Sequence, residues 1–212
     1  MYEEGLTEQQ IKNRYKLIKA HNMNVKISDM NLKDKFTNFE SAKEDEARTL
    51  LYEVTKNKKT YKRYSRGQIV KIKFGVNVGS EFSGDHFAII ISKGDSMLNP
   101  VLHVVPLTSK QHKKGLNVGN ILYNEKYIKE LTRLKKASEI KKAKKIINYY
   151  SKRKNTISYA AIDHIKTVSK LSIMKEINEY DFISKIKCSK EIMDNIDIAI
   201  INEYTINNWQ FK

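Results

Sequence analysis

A small set of side chains in this chain could handle protons and phosphate together. His86 opens one apolar run, Thr108, Ser109 and Lys110 close another, and Asp163-His164-Ile165-Lys166 lies further on. Metal-free cleavage of RNA needs a base to take the proton of a 2′-hydroxyl and an acid to protonate the leaving 5′-oxygen. It also needs donors around the phosphoryl oxygens. Histidine serves the first two tasks because it titrates near neutral pH, and lysine and hydroxyl groups serve the third. A histidine at the start of a strand serves equally well as a structural hydrogen-bonder, so the residue types alone leave both roles open.

Other chemistries lack their signatures. There is no phosphate-binding P-loop, no dinucleotide glycine fingerprint, no HExxH and no Cys/His zinc spacing. His103 and His112 have no acidic companions at ligand spacing, so neither a metal nor a cofactor is expected. The serine-nucleophile elbow is also missing. The one cysteine, Cys188, excludes a disulfide within the chain and fits a reducing cytoplasm. Its surroundings predict a buried structural thiol. The first ten residues are acidic and polar, unlike a signal peptide. No apolar run approaches the roughly 20 residues of a membrane helix. A cytoplasmic protein without a membrane partner is expected.

The charge balance points to a polyanion. The 212 residues carry 40 Lys and Arg against 24 Asp and Glu, a net charge of +16. Such a surface attracts phosphates and releases their counterions on contact. Residues 110–156 hold 15 Lys and Arg and 3 acids, so they supply +12 of the total. This segment is a candidate phosphate-contacting arm, with a solvated helix face as the alternative.

The pattern of apolar residues divides the chain. Residues 1–62 read as a helical extension. Thr7 with Gln10 forms a capping box for a helix running to about residue 21. A second helix begins near residue 32, with Phe36, Phe39, Ala42, Ala47, Leu50, Leu51 and Val54 as its apolar face. A basic linker follows over 56–65. Residues 63–212 then read as a small domain. Strands are expected at 69–74, 87–91 and 101–107, interrupted by a Gly/Ser loop and a polar turn. A basic helix is expected at 127–150, with strands at 157–162 and 165–168. A final helix at 189–204 is capped by Ser189 and packs through Ile192, Met193, Ile196, Ala199, Ile200 and Tyr204.

The run from Arg66 to Ser92, followed by VVPLTS, resembles the PemK/MazF family of type II toxin–antitoxin ribonucleases. The likeness rests on the turn Arg66-Gly67-Gln68, the loop Gly79-Ser80-Glu81, the strand end Pro106-Leu107-Thr108-Ser109 and the element Asp163-His164-Ile165-Lys166-Thr167. It is strong over 66–109 and looser over 157–204. The resemblance implies an α+β fold: a small SH3-like antiparallel β-barrel of the CcdB/PemK type with a C-terminal helix. Here N-terminal helices and the basic insertion at about 110–156 are added to it. It further implies a homodimer, a cognate antitoxin partner, and metal-independent cleavage of single-stranded RNA (mRNA) at short motifs.

The family's catalytic pair is an arginine at the start of the second core strand and the threonine of PLT. The threonine maps to Thr108 and the arginine to His86, while Phe87 replaces the usual proline. The resemblance gives Glu81 and Ser83 a pocket-shaping role, and the residue types make Ser109, Lys110, His164 and Lys166 further candidate substrate-binding residues beside them. Arginine binds phosphate bidentately and is a poor base, whereas histidine can carry protons. Two readings follow. His86 is an acid/base group, with Lys110 or Lys166 supplying the charge that arginine would have given. Alternatively, the site is catalytically impaired and the protein is an RNA-binding module. A gyrase-targeting toxin on the same fold is a further alternative. The acids Glu40, Glu44, Asp45 and Glu46 make the extension a candidate cap over a basic site.

Overall fold

A computed structural model describes residues 5–30, 32, 36–55 and 60–205. The expected mixture of helices and an antiparallel sheet is present. Helix α1 (Glu8–Asp29) begins at the predicted capping box, in which the Thr7 hydroxyl and the Gln10 side chain bond each other's backbone. It runs eight residues beyond the predicted end because neither proline nor glycine stops it. Helix α2 (Phe39–Thr55) starts later than expected.

The apolar face predicted for α2 is largely uncovered. Phe39 is buried, but Leu50, Leu51 and Val54 are exposed, as are Tyr15, Leu17 and Ile18 of α1. Helical periodicity shows that such residues share a face, not that anything covers it. The proposed acidic cap is also mostly engaged elsewhere. Glu44 pairs with Arg48, Glu46 with Lys43, and Glu40 accepts from Ser28. Asp45 reaches the sheet, at Lys73.

The sheet is built from β1 (Ile69–Lys73), β2 (Asp85–Ile90), β3 (Val101–Thr108), β4 (Gly115–Gly119), β5 (Ser158–Ala161) and β6 (Lys166–Ser169). All pairings are antiparallel, in the order β1-β2-β3-β5-β4, with β6 also on β3. β5 and β6 pair with successive parts of β3. The 3-10 turn Ile162–His164 between them shifts the register, so that Leu107 faces Ala160 while Val104 faces Lys166. The ladder does not close into the expected barrel among the described residues. After β6 the chain turns through a 3-10 segment, Lys170–Ser172, and meets the free edge of β1 through the isolated bridges Ile72↔Ile173 and Gln68↔Lys187.

Strand alternation gives the sheet two buried faces. Val70, Ile72, Ala88, Ile90, Leu102, Val104 and Val168 form one core. Ile69, Phe87, Ile89, Val105, Leu107 and Ala160 belong to the other, which the C-terminal helix covers. That helix, α5 (Lys190–Tyr204, numbered after α3 and α4 below), carries the expected Ser189 cap and buries Met193 and Ile196. Gly67 lets it come close. Its φ of 79° suits glycine, and a Cβ there would meet Met193 Cγ and Sδ at 3.4 Å. Cys188 is half-buried, and burial pushes its thiol up to about 12.

The basic insertion is not one helix. It holds β4 and two helices, α3 (Glu125–Thr132) and α4 (Ala137–Ser151). Ile128, Ile146 and Tyr150 pack into the same core as α5, and Ala143 is buried. Tyr127 stacks on Phe182 at 5.3 Å between centroids, and the Tyr150 hydroxyl donates to Asp181 Oδ1 at 2.8 Å. Lysines 141, 142, 144 and 145 project on the exposed side.

Candidate active site

β2 and β3 bring the candidate residues to one face. Ala88 pairs with Pro106 and Ile90 with Val104, so continuing this register sets His86 opposite Thr108. Directly opposed residues of an antiparallel pair project to the same side. Thr108 is in turn paired with Tyr159 of β5, and Tyr159 with Asn117 of β4. His86, Thr108, Tyr159 and Asn117 therefore form a row across four strands. The row continues the face of Ile72 and Ala88, both fully buried, which makes a rigid floor. Helix α4 packs on the other face, through Ile146 and Tyr150, so of the basic insertion it is β4 and not α4 that contributes to this row.

His86 is half-buried. Burial pushes its pKa below the ordinary 6.5. Hydrogen bonding to the backbone of Leu107 and Ser83 and the charge of Asp85 oppose this, and Lys71 adds to it. The net effect favours the neutral imidazole at neutral pH. The Thr108 hydroxyl is half-buried and accepts from the Lys110 amide at 3.1 Å, which turns the chain outward. Ser109 and Lys110 are exposed, and no ion pair among the described residues engages Lys110.

The loop at 75–84 folds over the row. Gly84, with φ of 83°, turns it back into β2 next to His86. Ser83 braces it internally: its hydroxyl accepts from the Asn77 amide at 3.0 Å and donates to the Glu81 carbonyl at 3.1 Å. Glu81 meets Lys166 Nζ at 2.8 Å, a contact that holds the Glu81 carboxyl below its usual range. Lys166 is thus committed to Glu81, and Lys110 is left as the candidate lysine with its charge unpaired.

Two aromatic residues of this region were not singled out by residue type. Phe82 stands edge-on to His86 at 4.6 Å and to His164 at 5.2 Å between centroids. Phe74 backs His86 at 6.4 Å. A phenylalanine beside GSE carries no chemical signature, so only the fold reveals it. His112 arrives from the turn after β3. Its Nδ1 lies 4.0 Å from Asp163 Oδ1, and its ring lies 6.4 Å from that of His164. His164 Nε2 is 4.0 Å from Asp163 Oδ2. His112 folds over Gly115, where a Cβ would come within 3.0 Å of its ring. The acidic companion that His112 lacks in sequence is therefore supplied in space, 51 positions along the chain.

The arrangement can hold a neutral imidazole beside a threonine hydroxyl, with a second imidazole across an aromatic ring and a free lysine at the rim. No group of His, Cys, Asp and Glu suited to a metal ion occurs among the described residues. No described helix is long and apolar enough to cross a membrane.

No curated protein matches the chain. The family model of the PemK-like, MazF-like toxin of type II toxin–antitoxin systems matches residues 65–202, the stretch that contains the whole sheet, the inserted helices and most of α5. With the turn, loop and PLTS strand end all falling inside that span, the chain belongs to the PemK-like, MazF-like toxin family of type II toxin–antitoxin systems.

Proposed function

We propose that this toxin is a metal-independent endoribonuclease that cuts single-stranded RNA, mRNA above all, at short sequence motifs by attack of the 2′-hydroxyl. The observation that carries the reading is the β2–β3 register, whose continuation sets a half-buried, largely neutral His86 opposite Thr108 on a rigid floor. His86 takes the 2′-hydroxyl proton, and the 2′-oxygen forms its bond to phosphorus while the bond to the 5′-oxygen breaks. The Thr108 hydroxyl and Lys110 stabilise charge on the phosphoryl oxygens. Ser109 lies beside them, Tyr159 offers a ring for a base to stack on, and Glu81, Ser83 and Lys166 shape the loop above. His164 borders the bound phosphate.

Family membership supports a co-encoded antitoxin as protein partner. A homodimer and a cytoplasmic location complete the proposal, and a net charge of +16 supports RNA as the ligand. A second reading, an RNA-binding module without turnover, rests on Phe82, which packs edge-on against His86.

The test is incubation of a long defined RNA with purified protein in EDTA, comparing wild type with His86→Ala and Thr108→Ala. Cuts at a fixed motif that both variants lose are expected. Salt-sensitive binding without any cut supports the second reading instead.

A further inference from the structure

The proposed reaction names a base but leaves the proton donor for the leaving oxygen unassigned. In-line displacement places the attacking and leaving oxygens on opposite sides of phosphorus, so base and acid must stand apart. The structure offers one arrangement of this kind. His86 and His164 both pack on the Phe82 ring, 4.6 and 5.2 Å from its centroid and edge-on to it in both cases.

His164 has features that suit it to hold and release a proton. It sits on the 3-10 turn that breaks β5 from β6 and is not part of either core. Its side chain is partly open to solvent. The Asp163 carboxylate lies 4.0 Å from its Nε2 and equally far from His112 Nδ1, so one carboxylate faces two imidazoles. Asp163 Oδ1 and His112 Nε2 are buried without hydrogen-bond partners, which leaves the carboxylate free to act on the rings. Lys166 faces Glu81 across the loop, and Lys114, which pairs with Glu203, adds a positive charge near Asp163.

We infer that His164 is a second catalytic residue, the acid that protonates the leaving 5′-oxygen, and that Asp163 is its positioning residue. The inference rests on the ribonuclease reading above. The 2′-hydroxyl proton passes to His86, the 2′-oxygen bonds to phosphorus, the P–O5′ bond breaks, and the His164 imidazolium gives its proton to the 5′-oxygen. The products are a 2′,3′-cyclic phosphate and a 5′-hydroxyl. Phe82 touches both imidazoles, so the loop lifts as the phosphate enters. The exposed Glu81–Lys166 pair that ties it is of the weak kind.

The experiment compares two RNAs of one sequence, one with the ordinary linkage at the cleavage point and one with sulfur in place of the bridging 5′-oxygen. A thiolate leaves without help from an acid. His164→Ala is expected to lose about 10²–10⁴-fold in kcat on the ordinary RNA and little on the sulfur-bridged RNA. Asp163→Asn shows the same selective loss in smaller measure. His86→Ala loses on both. An equal loss by His164→Ala on both substrates overturns the assignment and leaves the ribonuclease reading intact. Absence of cutting by the wild type overturns that reading, and this assignment with it.

Discussion

Replacing Lys170 with methionine tests how the strap at 61–64 and the β2–β3 turn are held to the sheet. Lys170 and Asp95 are each 2% exposed at the side chain and meet at 2.6 Å. Lys170 Nζ also donates to the Ser96 carbonyl at 2.9 Å, and the rings of Tyr61 and Tyr64 each lie 5.9 Å from it. Asp95 Oδ2 accepts from the Tyr64 amide at 2.8 Å. Methionine keeps the volume of lysine but leaves the carboxylate buried without its cation. Breaking a buried pair from one side costs about 3–5 kcal/mol. For a unit of this size that lowers Tm by about 6–20 °C. Replacing both residues, Lys170→Met with Asp95→Leu, removes both charges and recovers most of the loss.

The loss also depends on pH. Burial pushes the Asp95 carboxyl up, but the Lys170 contact and the Tyr64 and Ser96 amides outweigh it and hold the group below its ordinary 3.8. In the wild type its contribution is therefore complete above about pH 4 and fades as pH falls through the lowered folded value. Without Lys170, burial dominates and the folded carboxyl takes up a proton above 3.8, which relieves the variant as pH falls from 7 toward 4. Urea unfolding of both chains across that range reads the difference. A penalty under about 1 kcal/mol at pH 7, or one that does not narrow toward pH 4, refutes the reasoning.

The depressed His86 predicts a specific pH profile: as a base it must be neutral, so kcat/KM holds as pH falls through 6.5 and drops only below, and an acid limb at or above 6.5 in free-enzyme kinetics contradicts it. Glu81→Gln frees Lys166 and removes an acid beside the site, so RNA binding tightens and the salt slope in a filter-binding assay steepens by about one; unchanged slope counts against Lys166 facing the RNA. Gly67→Ala forces a side chain into positive φ against Met193 and lowers stability by about 1–2 kcal/mol in thermal unfolding, whereas an unchanged Tm shows that the turn is not constrained as described.

The parts of the fold legible in sequence were those with local rules. The Thr7–Gln10 box and the Ser189 cap are written in adjacent residues, and the alternation of β1 and the apolar run of β2 mark their strands. β4 is hard to read because Gly115-Leu116-Asn117-Val118-Gly119 alternates over only three residues between two glycines. Its strand character comes from pairing with β5. Arg133 to Lys136 contains no breaker, so the pattern predicts one continuous helix, yet α3 ends at Thr132 and α4 restarts at Ala137 as both pack on Phe182 and its neighbours. In the candidate site, PLTS and the start of β2 point to Thr108 and His86, whose proximity follows from the β2–β3 register. Phe82 and the His112–Asp163 contact were not. They depend on a loop folding over the sheet and on a turn meeting the break between β5 and β6, which no local pattern encodes.

The most direct test of the central claim replaces a single 2′-hydroxyl with hydrogen, on the nucleotide 5′ to the scissile phosphate, in an otherwise unchanged RNA that the wild type cuts. Loss of cleavage at that phosphate alone, with cyclic phosphate ends at the remaining cuts, is the predicted result. Continued cutting at the deoxy position would contradict attack by the 2′-oxygen and with it the role given to His86.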